Sequence, residues 1–215
     1  MTGTSEVAPR EHEGAIVDAA RDLIAAGGFG ALSMRAVAER VGVTATALYH
    51  YFENKQALVD SVVRLAFERF GSYLETAARR HPVGSLERVQ ALGEAYIQFA
   101  IENEAYFRVI FSIQVKDPPS VEELPGGGGY ALLRGCVDDA IASGAMRPAD
   151  PDLVAHYLWA TVHGLVTLVL ACRLHGCDGC RGEAGETSPL DLFRALGPFI
   201  RQGLDRNVTD QLETR

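Results

Sequence analysis

The chain has 215 residues, 47% of them hydrophobic, so its length allows a small module and a larger domain with its own core. It carries 20 Lys and Arg against 28 Asp and Glu, a formal net charge of −8, which excludes a uniformly basic nucleic-acid-binding protein. The polar segment 1–13 has no apolar stretch typical of a secretory signal, and we expect a partly disordered arm there. Four cysteines without such a signal favour a reducing, cytoplasmic environment.

The first predicted elements are two amphipathic helices. Apolar residues between Ile16 and Ile24 recur at helical spacing, and Gly27 and Gly28 end that helix. Ser33 is suited to cap a second helix, whose apolar face comprises Met34, Val37, Ala38 and Val41.

A glycine turn and a third short helix follow. Gly42 provides the stop, and Thr44 is a second candidate N-cap. We expect Ala47, Leu48 and Tyr51 to face inward, with Phe52 also in the core. The outward face would then consist of Ala45, Thr46, Tyr49 and His50. A scaffold helix, a glycine turn and a helix with an exposed polar face are the parts of a helix-turn-helix, whose second helix enters the DNA major groove.

The strings AERVGVT and ALYHYFENK give this segment a more specific resemblance. It resembles the N-terminal domain of the TetR family of transcriptional regulators, most clearly in Leu48-Tyr49-x-Tyr51-Phe52-x-x-Lys55. The close match covers about residues 14–66. The resemblance implies an all-α protein in which a three-helix DNA-binding domain precedes a helical ligand-binding and dimerisation domain. It also implies a homodimer on an inverted-repeat operator, released by a small molecule.

The resemblance also implies DNA contacts. Thr44 and Lys55 would bind phosphates, Thr46 and Ala45 would meet base edges or a thymine methyl, and Arg35 would add a cationic contact. The complete predicted set is Ser33, Arg35, Thr44, Ala45, Thr46, Tyr49, His50 and Lys55. The segment Ser33–Lys55 has a net charge of only +1, which predicts few neutralised phosphates and a moderate salt dependence. For each of these residues a solvated surface role is the alternative.

The rest of the chain is predicted to be helical. Helices are expected at about 54–80, from Ser85 through Phe99, at 106–113 and at 130–143, with a Pro- and Gly-rich loop at 115–129. The predicted domains are an arm at 1–13, a helix-turn-helix domain at 14–54, a ligand-binding and dimerisation domain at 55–205, and a tail at 206–215.

Twenty uncharged residues, 153–172, form a further predicted helix. Their length allows a membrane span, but two histidines and two threonines make that a poor candidate. A helix buried on both sides fits better, and the TetR resemblance implies that it forms a four-helix dimer interface with the helix at 190–204. The small residues Ala160, Gly164 and Ala171 would allow close approach.

Trp159-x-x-x-His163-Gly164 resembles a motif in the C-terminal domain of one TetR branch. Ligand pockets are mostly apolar with a few placed polar groups, so we expect a pocket at this motif. The predicted ligand-binding residues are Tyr96, Phe99, Phe107, Phe111, Trp159 and His163. The alternative is that His163 and Trp159 only fill the core.

Cys172, His175, Cys177 and Cys180 form a cluster with three possible readings: incidental, redox-responsive or metal-binding. We find no nucleophile elbow, HExxH, P-loop or dinucleotide fingerprint, so neither an enzyme nor a cofactor is predicted. The predicted function is a ligand-responsive DNA-binding regulator, most consistent with a repressor. A redox- or metal-responsive regulator and an interaction protein with a degenerate DNA module are the alternatives.

Overall fold

A computed structural model describes residues 9–111, 129–171 and 188–204. Within these ranges the chain forms helices and no strand, as the sequence predicted for an all-α protein. The helices are α1 (Pro9–Ala31), α2 (Met34–Val41), α3 (Ala45–Leu48), α4 (Lys55–Ala78), α5 (Leu86–Glu102), α6 (Glu104–Phe111), α7 (Tyr130–Ala142), α8 (Pro151–Leu170) and α9 (Pro189–Leu204).

The helices divide between two compact units. Unit 1 comprises residues 1–68 and 103–118, and therefore contains α1, α2, α3, the first part of α4, and α6. Unit 2 comprises residues 69–102 and 119–215, and contains the end of α4 with α5, α7, α8 and α9. The predicted boundary at 54/55 coincides with the start of α4, but unit 1 continues beyond it.

The core of unit 1 is apolar and continuous along its helices. Ile16, Ala20 and Ile24 of α1 are at most 2% exposed, and Val37 and Leu48 are fully buried. The predicted helix end is visible as a kink at Gly28, which has a φ of 71°. α1 begins at Pro9, so part of the predicted arm is helical.

α6 belongs to unit 1 because it packs against α1. The buried Tyr106 donates a hydrogen bond from its hydroxyl to Asp18 Oδ1 at 3.2 Å. The Arg21 guanidinium lies 4.7 Å from the centre of the Tyr106 ring, a cation–π contact. Unit 1 is thus built from two separate stretches of the chain.

The core of unit 2 is centred on aromatic side chains. Phe70 is 2% exposed, and its ring lies 5.3 Å from that of Tyr96 and 5.1 Å from that of Phe99. Tyr73 packs on Phe99 at 5.5 Å and donates a hydrogen bond to Glu102 Oε2. These contacts join α4 to α5 within unit 2.

Candidate nucleic-acid interface and internal cavity

Both short helices of the predicted helix-turn-helix begin at a capping side chain. Ser33 Oγ accepts a hydrogen bond from the Ala36 amide, and Thr44 Oγ1 accepts one from the Ala47 amide, each at 3.1 Å. Gly42 ends α2 with a φ of 77°, a conformation that glycine adopts without steric cost. The turn and caps predicted from the sequence are therefore present.

The segment after α3 is a turn rather than a continued helix. His50 and Tyr51 donate their amide protons three residues back, to Ala47 and Leu48, while Phe52 bonds four residues back to Leu48. The tighter winding changes which side chains point inward. The expectation for Tyr51 was wrong: it is 38% exposed, whereas Phe52 is 5% exposed and belongs to the core as expected.

The remaining predicted contacts lie mostly at the surface of unit 1. We call this set the α2–α3 surface; its exposed members are Ser33, Arg35, Thr44, Thr46, Tyr49, His50 and Lys55, and Ala45 is half-buried. Lys55 Nζ donates to the Phe29 carbonyl at 3.0 Å, which places the ammonium at the end of α1. An ammonium has three hydrogen-bond donors, so Lys55 can donate to a second acceptor while it keeps its bond to the Phe29 carbonyl.

Unit 2 contains a cavity of about 100 Å³. Its walls come from α4, α5, α7, α8 and α9, and they are almost entirely apolar. The lining residues of the described chain include no charged side chain: Phe70, Leu74, Leu86, Val89, Gln90, Leu92, Gly93, Tyr96, Gly129, Tyr130, Leu133, Met146, Leu158, Trp159, Val162, Phe193 and Gly197.

A hydrogen bond joins α5 to α8 beside this cavity. The Tyr96 hydroxyl lies 2.8 Å from His163 Nδ1. Burial raises the pKa of the Tyr96 hydroxyl, and burial lowers the pKa of His163. When the neutral His163 carries its proton on Nε2, its Nδ1 accepts from the Tyr96 hydroxyl.

Two glycines allow close packing around the cavity. A Cβ on Gly93 would collide with the Phe193 ring, so this ring lies directly against the α5 backbone. A Cβ on Gly129 would come within 2.6 Å of Leu74 Cδ1, and its φ of 83° already favours glycine. Beside the first contact, Arg194 Nη2 binds Glu94 Oε2 at 3.0 Å, a hydrogen bond that lowers the pKa of the Glu94 carboxyl.

The predicted ligand-binding residues are placed differently from one another. Tyr96 and Trp159 line the cavity, and His163 is bonded to Tyr96 behind the wall. Phe99 is fully buried beside Phe70 and does not line the cavity. Phe107 and Phe111 belong to unit 1, where their rings lie 4.6 Å apart.

Other wall residues had no local signal in the sequence. Phe70, Tyr130 and Phe193 stand on three helices that are distant in sequence, and each is one apolar residue among several on its helix. Contact with a glycine singles out two of the three, Phe193 beside Gly93 and Phe70 beside Gly129, and each contact is long-range.

α8 has one buried and one exposed apolar face. Its inner residues include Val154, Val162 and Val166, while Leu153, Tyr157 and Leu168 are 68%, 53% and 44% exposed. Among the described residues α8 alone is long and apolar enough to cross a membrane by length and composition. Core helices of soluble proteins meet the same criterion, so this is weak evidence for a span.

The cysteine cluster at 172–180 lies outside the described residues. In the ranges that the structure covers, no group of three or more His, Cys, Asp or Glu side chains is placed to hold a metal ion. The one cysteine there, Cys136, is buried and forms no disulfide.

Caps, glycine turn and exposed second helix make the α2–α3 pair a helix-turn-helix, and the chain is a regulatory protein of that class. Family models identify it further. Residues 16–62 match "Bacterial regulatory proteins, tetR family", and residues 89–205, more than half of the chain, match "Tetracyclin repressor-like, C-terminal domain". The chain belongs to the TetR family, which confirms the resemblance found in the sequence. This is a family of regulators rather than of enzymes.

Individual relatives agree with this assignment. The transcriptional repressor KstR of Rhodococcus jostii is 40% identical over 88 residues, 41% of this chain and 40% of that protein. The matched segments span 40% or less of the length of the first curated relatives.

Solved structures show the same fold. A Rhodococcus protein of unknown function has a TM-score of 0.75 at 23% identity, covering 95% of this chain and all of that one. The ketosteroid transcriptional regulator KstR2 of Mycobacterium tuberculosis has a TM-score of 0.66 at 19% identity, covering 94% and 97%. None of these findings supports the redox- or metal-responsive alternative.

Proposed function

We propose that this protein is a cytoplasmic transcriptional repressor that binds an inverted-repeat operator as a homodimer and leaves it when a small molecule occupies unit 2. The observation that carries the proposal is the α2–α3 surface, where a Thr44-capped helix leads directly into the exposed Tyr49 and His50. Exposed aromatic and polar tips after a capped helix suit contacts to phosphates and base edges.

Each predicted DNA-contacting residue can be given a role that agrees with this geometry. Thr44 uses a lone pair for the Ala47 amide, and its hydroxyl proton remains suited to donate to a phosphate oxygen. Lys55 and Arg35 supply positive charge, while Thr46 and Ala45 face the bases. Since these residues include only two cations, we expect a modest electrostatic contribution to affinity.

The exposed face of α8 supports the homodimer. Leu153, Tyr157, Ala160, Gly164 and Leu168 follow one another at helical spacing, with large residues around small ones. A second copy of the chain covering this stripe would remove its apolar surface from water. Two-fold symmetry then places two recognition helices on half-sites about 34 Å apart.

The cavity supports control by a small molecule. A ligand that binds one conformation of unit 2 more tightly shifts the population toward it, and the coupling is reciprocal, so DNA must weaken ligand binding by the same factor. The similarity to a ketosteroid transcriptional regulator supports the idea that an organic metabolite is the effector.

The test is fluorescence anisotropy of the full-length protein on DNA from upstream of its own gene, beside a shuffled sequence. We expect sequence-selective binding that Tyr49→Ala weakens at least about tenfold. Val83→Ala, a truncation at a 67% exposed position of unit 2, should bind as the wild type does. If the wild type prefers no sequence, even after selection from random DNA, the proposed function is wrong.

A further inference from the structure

The cavity walls are unsuited to an ion. The described lining includes no charged side chain, and burying an unpaired charge in such surroundings costs far more than burying apolar surface gains. Two ion pairs lie beside lining residues: Arg194 with Glu94, joined by hydrogen bonds of 3.2 and 3.0 Å, and Arg134 with Asp152 at 2.9 Å. In each pair the two charges already neutralise one another. An ionised ligand group would therefore lose water without gaining a partner.

The polar groups of the side chains that line the cavity already form hydrogen bonds within the protein. Tyr96 is bonded to His163, the Tyr130 hydroxyl lies 3.1 Å from Asp152 Oδ1, and Gln90 Nε2 donates to Glu94. A ligand hydroxyl could donate to these groups, because the phenol oxygens and the Gln90 amide oxygen keep acceptor capacity. Apolar contact must supply most of the affinity.

Phe193 is one of the side chains that bound the cavity. At about 100 Å³ the cavity is smaller than typical ligand pockets of 300–1,000 Å³. Phe193 is 8% exposed, lines the cavity and lies against Gly93, where no other residue type would leave room for the ring. Moving or shortening this ring would enlarge the cavity.

We propose that the cavity of unit 2 binds an uncharged hydrophobic ligand, or the uncharged hydrophobic part of a larger one, and that Phe193 seated against Gly93 sets the size it accepts. This inference depends on the proposed function only where it identifies the ligand as the effector that controls DNA binding. The cavity itself makes the same prediction whether or not the chain binds DNA.

The chain contains a single tryptophan, Trp159, in the cavity wall, so its fluorescence reports occupancy directly. We would titrate the full-length protein at pH 7.5 with cyclohexanol, cyclohexanecarboxylate and cyclohexylammonium, which share one ring and differ in charge. Cyclohexanol should give a saturable change in Trp159 fluorescence. Each of the two ions should need at least ten times the concentration of cyclohexanol to reach half of its change. Equal or tighter binding of either ion would overturn the proposal.

The size limit is tested with 1-adamantanol, a bulkier neutral alcohol. Phe193→Ala should bind it at least tenfold more tightly than the wild type. Leu192→Ala, the same kind of truncation one residue away but outside the cavity lining, should not. Phe193→Leu serves as a milder variant if Phe193→Ala fails to fold, which thermal melting will show.

Equal gains in the two truncations, or no saturable response to any neutral alcohol in the wild type and both Phe193 variants, would overturn the inference. Anisotropy on DNA is recorded separately. A protein that binds no DNA but follows these ligand rules would disprove the proposed function alone.

Discussion

The two units carry their candidate sites in opposite ways. In unit 1 the α2–α3 surface consists of exposed polar residues within one stretch of 23 residues, held by local caps and a glycine turn. In unit 2 the cavity is made of mostly apolar, buried or half-buried residues from five helices and the loops beside them, brought together only by packing. Binding residues that are exposed contribute little to stability, whereas cavity residues are also core residues.

This difference predicts opposite outcomes for truncating an aromatic ring in each unit. Phe70→Ala should lower the free energy of unfolding by about 3–5 kcal/mol, because Phe70 is 2% exposed between Tyr96 and Phe99. Tyr49→Ala, at a 53% exposed position, should change it by no more than about 0.5 kcal/mol while weakening selective DNA binding at least about tenfold. Urea unfolding followed by circular dichroism measures both, and similar losses in the two variants would contradict the comparison.

A smaller effect separates stability from binding inside unit 1. Thr44→Ala should cost about 1 kcal/mol, because the Ala47 amide loses its cap. Thr44→Asp keeps a capping oxygen and should retain wild-type stability, yet its carboxylate should repel DNA phosphate. Unfolding and DNA anisotropy, measured on the same two variants, show whether Thr44 contacts DNA or only caps α3. Normal DNA affinity in Thr44→Asp would mean that Thr44 is only a cap.

Salt dependence offers a finer measure of the α2–α3 surface. Arg35→Ala should reduce the slope of log affinity against log salt by about 0.9 for each subunit. Between 50 and 200 mM salt this slope corresponds to roughly a 3.5-fold smaller loss of affinity per subunit. Val83→Ala is the control, and an unchanged slope in Arg35→Ala would remove Arg35 from the contact set.

The smallest expected effect concerns pH and unit 2. Burial lowers the pKa of His163 below its ordinary 6.5, so below about pH 6.5 the unfolded chain binds the proton more readily than the folded chain. Stability from this residue is therefore present above pH 6.5 and is lost as the pH falls.

His163→Asn should show a smaller drop in melting temperature between pH 7.5 and 5.5 than the wild type. The asparagine oxygen can accept from Tyr96 in place of Nδ1 but does not titrate. Above pH 7.5 both proteins should respond alike, and an identical acid response would exclude His163 as the titrating group.

Local signals explain what could be predicted from the sequence. The helix predicted at 54–80 is observed at Lys55–Ala78, and that at 130–143 at Tyr130–Ala142. Periodic apolar residues mark both helices, and Pro82 and Gly144 mark where they end. α8 starts two residues earlier than expected, since Asp150 caps it and Pro151 occupies its first turn.

Long-range packing explains what could not be predicted. Phe107 and Phe111 carry the same apolar stripe whether α6 packs on α1 or on the cavity helices, so periodicity could not choose the unit. The contact of Phe193 with Gly93 joins residues 100 positions apart, and no local sequence pattern at either residue indicates it. The inward placement expected for Tyr51 failed because three-residue hydrogen bonds replaced helical ones.

The return of α6 to unit 1 has a consequence for the order in which the chain can fold. α1 is synthesised first, but Tyr106, which binds Asp18 and packs under Arg21, leaves the ribosome only after all of α5. A nascent chain of 68 residues therefore lacks one layer of its first unit. Unit 1 is complete only once α6 has emerged, and unit 2 only once α7, α8 and α9 have followed.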